Sequence, residues 1–389
     1  KYSYLREYSI QCRYLLDSKR ELRATMMLES PLTERQLIAR FVDALRELPE
    51  VDADLEHWEP ASKHGDRGHD AQVDLHVAGK SFVLLIEAKK TVFPRDVRQV
   101  IWQFREASHG RPTGQGEPLS LLVAESISPG AKELLRSERV GYYDSGGSLF
   151  LPAPGAYLYI DKPPPKTLAK SVRALFSGRR AQVHHALLVQ HRDWFGVTEL
   201  AQQAMVSPAT ASQVLTELER FDWLESRGQG PSKERHLREP AALLDAWAKQ
   251  LASIRPPTLR RYYVPSAKAD TLPMRIGEAF DAHDVQYAVS HEAAAQRYAP
   301  FLSSVSQVRA RVLIGADADA AISDLGARIV NEGANLAIFE AKSPGELLFR
   351  EKVGGLWLAS PIQIYLDLLR GEGRSKEMAE HFRKERIGF

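Results

Sequence analysis

Between Thr33 and Leu48 the apolar residues Leu37, Ile38, Phe41, Val42, Leu45 and Leu48 recur every three or four positions, which predicts an amphipathic helix with one buried face. The period then changes. Apolar residues alternate around Asp74, a short turn follows at Ala78-Gly79-Lys80, and an apolar run from Phe82 to Ile86 ends abruptly in Glu87-Ala88-Lys89. That pattern predicts two strands joined as a hairpin. A second helix is expected to begin near Pro94 and to carry Val97, Ile101, Trp102 and Phe104. A buried strand over Leu119 to Val123, a helix over Gly130 to Glu138, a strand over Gly141 to Tyr143 and a hairpin from about Gly147 to Tyr159 complete this part.

Further on, a short helix is predicted over Val197 to Met205, with Val197, Leu200, Ala201 and Ala204 inward. Ser207 is a good N-cap and Pro208 suits the first helical position, so the next helix runs from Pro208 to Phe221 and buries Ala211, Val214, Leu215 and Leu218. Trp223 to Arg227 and Glu234 to Arg238 flank the Gly/Pro-rich turn Gly228 to Lys233, and a helix follows from about Pro240 to Ala252. The rest alternates strands (Gln286 to Val289, Arg311 to Ile314, Leu336 to Phe339) with helices (His291 to Tyr298, Asp319 to Ile329, Pro361 to Leu369). Arg260-Arg-Tyr-Tyr-Val264 reads as a connecting strand or a basic, aromatic nucleic-acid contact.

Proline sets the boundaries. Pro163, Pro164 and Pro165 cannot continue a helix or a central strand and favour an extended spacer, and a second break falls at Ile254-Arg-Pro-Pro-Thr258. Three units are expected: residues 1–162, 166–253 and 257–389. A chain of 389 residues is long enough for several cores. Its apolar runs are too short to span a bilayer, its N-terminal stretch is rich in Arg, Lys, Glu and Tyr with no signal-peptide core, and Cys12 is the lone cysteine. A reducing cytoplasm, no membrane and no zinc site are the expectations. The net charge of +2 is too small to imply nucleic acid, so any such surface must come from local clustering.

Two clusters do this. Glu87 and Lys89 lie two apart on a strand and project the same way, and a hairpin lets Asp74 approach them. Two carboxylates and an ammonium at a strand end suit Mg²⁺-dependent phosphodiester hydrolysis, with Asp74 and Glu87 as metal ligands and Lys89 steadying the attacking water. An acid and a lysine two apart are also common on solvated strand faces. Gln99 and Gln103, one turn apart on the following helix, read either as two solvated glutamines or as groups placed to reach phosphate or a metal-bound water, and Glu34 is a candidate extra acid. The second cluster is the helix-turn-helix. Thr210, Ser212, Gln213 and Thr216 form a polar, uncharged face suited to a major groove, while Arg227, Lys233, Arg235 and Arg238 are expected to grip phosphates.

The Asp74…Glu87-Ala-Lys89 pattern resembles the D…ExK core of the PD-(D/E)XK nuclease superfamily, which implies a restriction-endonuclease-like α/β core. The middle unit resembles the winged helix of transcription regulators. The last third, with the winged helix before it, resembles AbiEi-type antitoxins of type IV toxin–antitoxin systems. That resemblance rests on Tyr287-Ala-Val-Ser-His-Glu-Ala-Ala-Ala295, on Arg311-Val-Leu-Ile-Gly315, and on Leu358 to Leu369 leading into Gly371 to His381. It implies a C-terminal mixed α/β, nucleotidyltransferase-like domain, repression of the protein's own operon, double-stranded DNA as partner and a nucleotidyltransferase-type toxin. Ser290-His291 replaces the Gly-Ser loop that nucleotidyl transfer requires, and Asp317 and Asp319 are expected to open a helix rather than hold a metal. Simple antitoxins of that family lack the N-terminal unit. The expected whole is an α/β multidomain regulator, with a DNA endonuclease targeted by its winged helix as the alternative. Palindromic operators would call for a homodimer.

Overall fold

The computed structural model describes residues 32–58, 69–77, 79–108, 118–163, 174–254, 257, 259–265 and 271–389. Cys12, Ala78, Pro164 and Pro165 of the spacer, and Arg255, Pro256 and Thr258 of the second break lie outside these. The chain divides into two compact α/β units, residues 1–169 and 170–389, each with a seven-stranded mixed sheet. Among the described residues no helix is long and apolar enough to cross a membrane.

In the first unit, Thr33 caps α1 (Glu34–Arg46) through a reciprocal pair with Gln36, which fixes where the helix starts. The sheet follows chain order: β1 (Val51–Trp58), β2 (Ala71–Val77), β3 (Lys80–Val92), β4 (Leu119–Ile127), β5 (Gly141–Asp144), β6 (Leu149–Ala153) and β7 (Ala156–Ile160). β3, β4 and β5 are parallel and the outer pairs antiparallel. Side-chain alternation divides the core in two. Leu84, Ile86, Leu121 and Val123 face Leu37, Ile38 and Phe41 of α1. Leu85, Leu122 and Ala124 face Val97, Val100 and Phe104 of α2 (Pro94–Ser108) and Leu135 of α3 (Pro129–Ser137). A central strand covered on both faces must be apolar at every position, which is why Phe82 to Ile86 shows no alternation.

Trp102 lies on the outer face of α2. It is 64% exposed, because Val97, Val100 and Phe104 set the buried face of α2 and a residue two positions from Val100 and Phe104 points away from it. β1 was not expected; only Ala53 of its described side chains is buried, so its acidic sequence masks the alternation.

The second unit begins with α4 (Arg179–Val189), α5 (Val197–Gln203) and α6 (Pro208–Arg220), which pack on one another. The hairpin β8 (Leu224–Arg227) and β9 (Glu234–Leu237) and helix α7 (Pro240–Ala252) follow. Then come β10 (Leu259–Tyr263), α8 (Leu272–Ala282), β11 (Tyr287–Ser290), α9 (His291–Tyr298), β12 (Val308–Leu313), α10 (Ala316–Asp324), β13 (Arg328–Ile329), β14 (Leu336–Ala341), β15 (Glu351–Val353), β16 (Leu356–Leu358), α11 (Pro361–Leu368) and α12 (Ser375–Phe382). The sheet order is β13-β10-β14-β12-β11-β16-β15. One continuous apolar core runs from Val183, Leu215 and Trp247 to Tyr287, Ile338 and Ile362. The helix expected to reach Ile329 stops at Asp324, since Gly326 takes φ +62° and the Ala327 amide bonds back to Ile322. Arg328 and Ile329 are thereby freed to pair with β10.

Candidate functional site

Glu87 and Lys89 share the face of β3 that looks toward α2, alongside Leu85. Glu87 is 5% exposed, and Lys89 Nζ lies 2.5 Å from its Oε1. Burial works to lower the Lys89 pKa, but the hydrogen bond and charge of Glu87, with the charges of Asp70 and Glu34, outweigh it and hold the ammonium above its usual value.

Asp74 is not brought to this pair. It stands opposite Val83 on β3 and Asp54 on β1, four residues short of Glu87, or roughly 13 Å at about 3.3 Å per residue. The register Ala71↔Ile86 instead sets Asp70 beside Glu87: the Asp70 amide donates to the Ile86 carbonyl (2.7 Å), and its Oδ2 accepts from the Ala88 amide (2.7 Å). The acid that meets Glu87 and Lys89 is therefore Asp70. Of the two glutamines, Gln99 is exposed, and Gln103 is half-buried with its Oε1 buried and without a hydrogen-bond partner.

Among the described residues no three His, Cys, Asp or Glu side chains are gathered to cage a metal ion. Mg²⁺ needs no such cage, since one or two carboxylates with waters and substrate phosphate suffice. The adjacent carboxylates of Asp70 and Glu87 fit that donor set. Glu34 acts on Lys89 through its charge.

The helix-turn-helix is built as its sequence dictates. Ser207 Oγ accepts from the Thr210 amide at 3.2 Å, Pro208 opens α6, and Ala211, Val214, Leu215 and Leu218 are buried. Thr210 and Ser212 are half-buried, and the Thr210 hydroxyl lies 2.9 Å from Ser207 Oγ. Thr216 is exposed but its hydroxyl donates to the Ser212 carbonyl (2.9 Å), which leaves exposed Gln213 as the longest polar side chain of the four.

The four basic residues of the hairpin separate into distinct environments. Gly228 takes φ +72°, and a Cβ there would lie 2.6 Å from the Ser232 carbonyl oxygen, so the turn demands glycine. Arg227, exposed, stacks its guanidinium 4.2 Å from the Trp194 ring centre and pairs with Glu234. Arg238, exposed, pairs with Asp222 at 3.0 Å. Lys233 Nζ and Arg235 Nε both lie 2.8 Å from Glu219 Oε1 of α6. Arg235 is 7% exposed. Burial pushes the Glu219 pKa up, but the hydrogen bonds from Lys233 and Arg235 overcome that and hold it below the usual carboxylate value. This clamp fixes the hairpin on the second helix, a role the sequence reading had not given Arg235; its alternation with buried Leu237 was the available signal.

Asp317 and Asp319 are exposed acids in the first turn of α10. Deeper in this unit, Asp367 of α11 is buried and held by Arg311 through two bonds (3.1 and 2.5 Å), by the Ser290 hydroxyl (2.5 Å) and by the Gln363 amide (2.9 Å). Burial would raise its pKa, yet Arg311 prevails and lowers it to about 2. The sequence reading missed this network, whose members lie 56 and 77 residues apart.

No protein-family model matches the chain, and no curated protein matches it significantly.

Proposed function

We propose that the protein is a DNA-binding transcription regulator that reads DNA with α6 and the β8–β9 hairpin, as a winged helix does. The observation that carries this reading is the two-sided character of α6. Its apolar face is buried, while Gln213 and Thr216 stand exposed on a helix with no lysine and whose one arginine, Arg220, is at its end. A polar, uncharged helix face suits base edges, and Arg227 on the hairpin supplies a phosphate contact. With the C-terminal resemblance, the reading extends to an AbiEi-like antitoxin acting in the cytoplasm, repressing its own operon as a homodimer alongside a nucleotidyltransferase-type toxin. The last part of the chain would be a nucleotidyltransferase-like domain that transfers no nucleotide. In support, β12 beside Ser290-His291 carries Arg309 and Arg311 where paired acids would be needed. Selection of duplexes from a random pool by the full chain, followed by affinity measurement with Gln213→Ala, tests the reading.

The convergence of Asp70, Glu87 and Lys89 favours a second reading for the first unit, a PD-(D/E)XK-type DNA endonuclease. Asp70 and Glu87 would hold Mg²⁺, which when bound would activate water and neutralise phosphate charge. Lys89, kept protonated by its acidic neighbours, would face the scissile phosphate with a fixed positive charge. Incubation with supercoiled and linear DNA, in Mg²⁺ and in EDTA, separates a working site from a DNA-contacting relic.

A further inference from the structure

The second unit contains a cavity of about 440 Å³, within the range of small-molecule pockets, bounded by arginines from three separate elements. Arg261 comes from β10, Arg309 from β12, and Arg370 from the residues just after α11. Their charges are poorly answered. Arg261 is exposed and has no acidic partner among the described residues. Arg309 reaches Glu292 only at 3.7 Å, and Arg370 donates to the Ile254 carbonyl at 2.7 Å rather than to an acid. Of the two acids on the wall, Asp367 is already matched by Arg311, which leaves Glu372 on the wall and the more distant Glu292 beside Arg309 against three guanidinium groups.

A second, independent observation points into the same cavity. His291 is 4% exposed, lines the wall, and its Nδ1 is buried with no hydrogen-bond partner, the Asp367 carboxylate standing 4.0 Å away, beyond bonding distance. The ring is locked in place: it stacks on Phe339 with centroids 5.2 Å apart and planes 7° from parallel, and its backbone takes φ +55°, a strained value for a non-glycine residue. Burial lowers its pKa, so near neutral pH it offers an uncharged imidazole nitrogen. A buried polar atom left unpaired is destabilising, and a ligand group bonded at that point would offset the cost.

We propose that this cavity binds a small phosphorylated molecule, its phosphate gripped by Arg261, Arg309 and Arg370 and a neighbouring polar group paired with His291 Nδ1. Guanidinium groups converging from three elements match the several acceptor oxygens of a phosphate monoester. This site is independent of the DNA-reading surface and does not need metal.

The test is calorimetric titration of the full chain at constant ionic strength with inorganic phosphate, adenosine 5′-monophosphate and adenosine. Saturable binding of phosphate or of the nucleotide is expected, with none for adenosine. Arg261→Gln, at an exposed position, should weaken it by about tenfold or more, and Arg309→Gln likewise, whereas Lys376→Gln on the exposed surface should leave it unchanged. Absence of saturable binding by both phosphate probes overturns the proposal, as does binding that the Arg261 and Arg309 variants leave intact or that adenosine reproduces.

Discussion

Glu87 stands where β3 runs out of apolar neighbours, and a carboxylate buried there needs compensation. Lys89 supplies it from two residues away, because that spacing places both side chains on one face. The pair and its face were therefore legible in the sequence. The acid opposite them was not, since that depends on where the hairpin turns. Gly79 at φ +74° puts Val77 against Lys80, and counting back equally from that turn brings residue 70, not 74, to residue 87. If the first unit cleaves DNA, Asp70→Ala and Glu87→Ala should each reduce Mg²⁺-dependent nicking by about 10²-fold or more, while Asp74→Ala retains most of it. A plasmid-nicking assay in which Asp74→Ala is the dead variant and Asp70→Ala the active one would refute this assignment. So would nicking by wild type that is indifferent to EDTA.

At the level of elements, the β8–β9 hairpin is held on α6 by charge as well as by apolar contact. Lys233 and Arg235 meet at Glu219, whereas Arg227 is exposed. These residues should respond differently to substitution. Arg235→Ala removes a buried bond to a carboxylate and should cost about 2 kcal/mol of stability, with little change in the salt slope of DNA binding. Arg227→Ala should leave the melting temperature nearly unchanged but reduce that slope by about 1. Thermal unfolding paired with a salt series distinguishes them, and equal effects of both variants on the slope would contradict the clamp. Clear amphipathic helices such as α1 and α6 were readable, α6 together with its Ser207 cap. α4 was not, because residues Val183 to Leu188 are all buried, including His184 and His185, and a helix covered all round shows no polar face.

At the scale of the whole molecule, the core of the second unit encloses neutral histidines. His184 and His185 are buried, and burial pushes each pKa down to about 4. His184 Nε2 donates to the Leu175 carbonyl, and His185 Nε2 pairs with the Ser360 hydroxyl at the start of α11. Unfolding restores an ordinary pKa near 6.5, so between about pH 6.5 and pH 4 the unfolded chain binds more protons than the folded one. Stability should therefore be full above about pH 6.5 and fall as pH drops toward 4, by about 1 kcal/mol per pH unit for each histidine. Melting at about pH 7.5 and pH 5 measures it, and equal stability of the second unit at both would show that these rings are not held neutral. Through the same core, α4 packs with α5 and α6 as well as with α11.

The central claim, that α6 and the hairpin read DNA, is tested most directly by fluorescence anisotropy of the full chain. The titration would use a duplex selected from a random pool and an unrelated duplex, across a series of salt concentrations. Binding should weaken linearly on a log–log plot against salt for both duplexes. Gln213→Ala should cost about 1–3 kcal/mol on the selected duplex and almost nothing on the unrelated one. Failure to bind either duplex at low salt, or an equal loss on both from Gln213→Ala, would contradict the account.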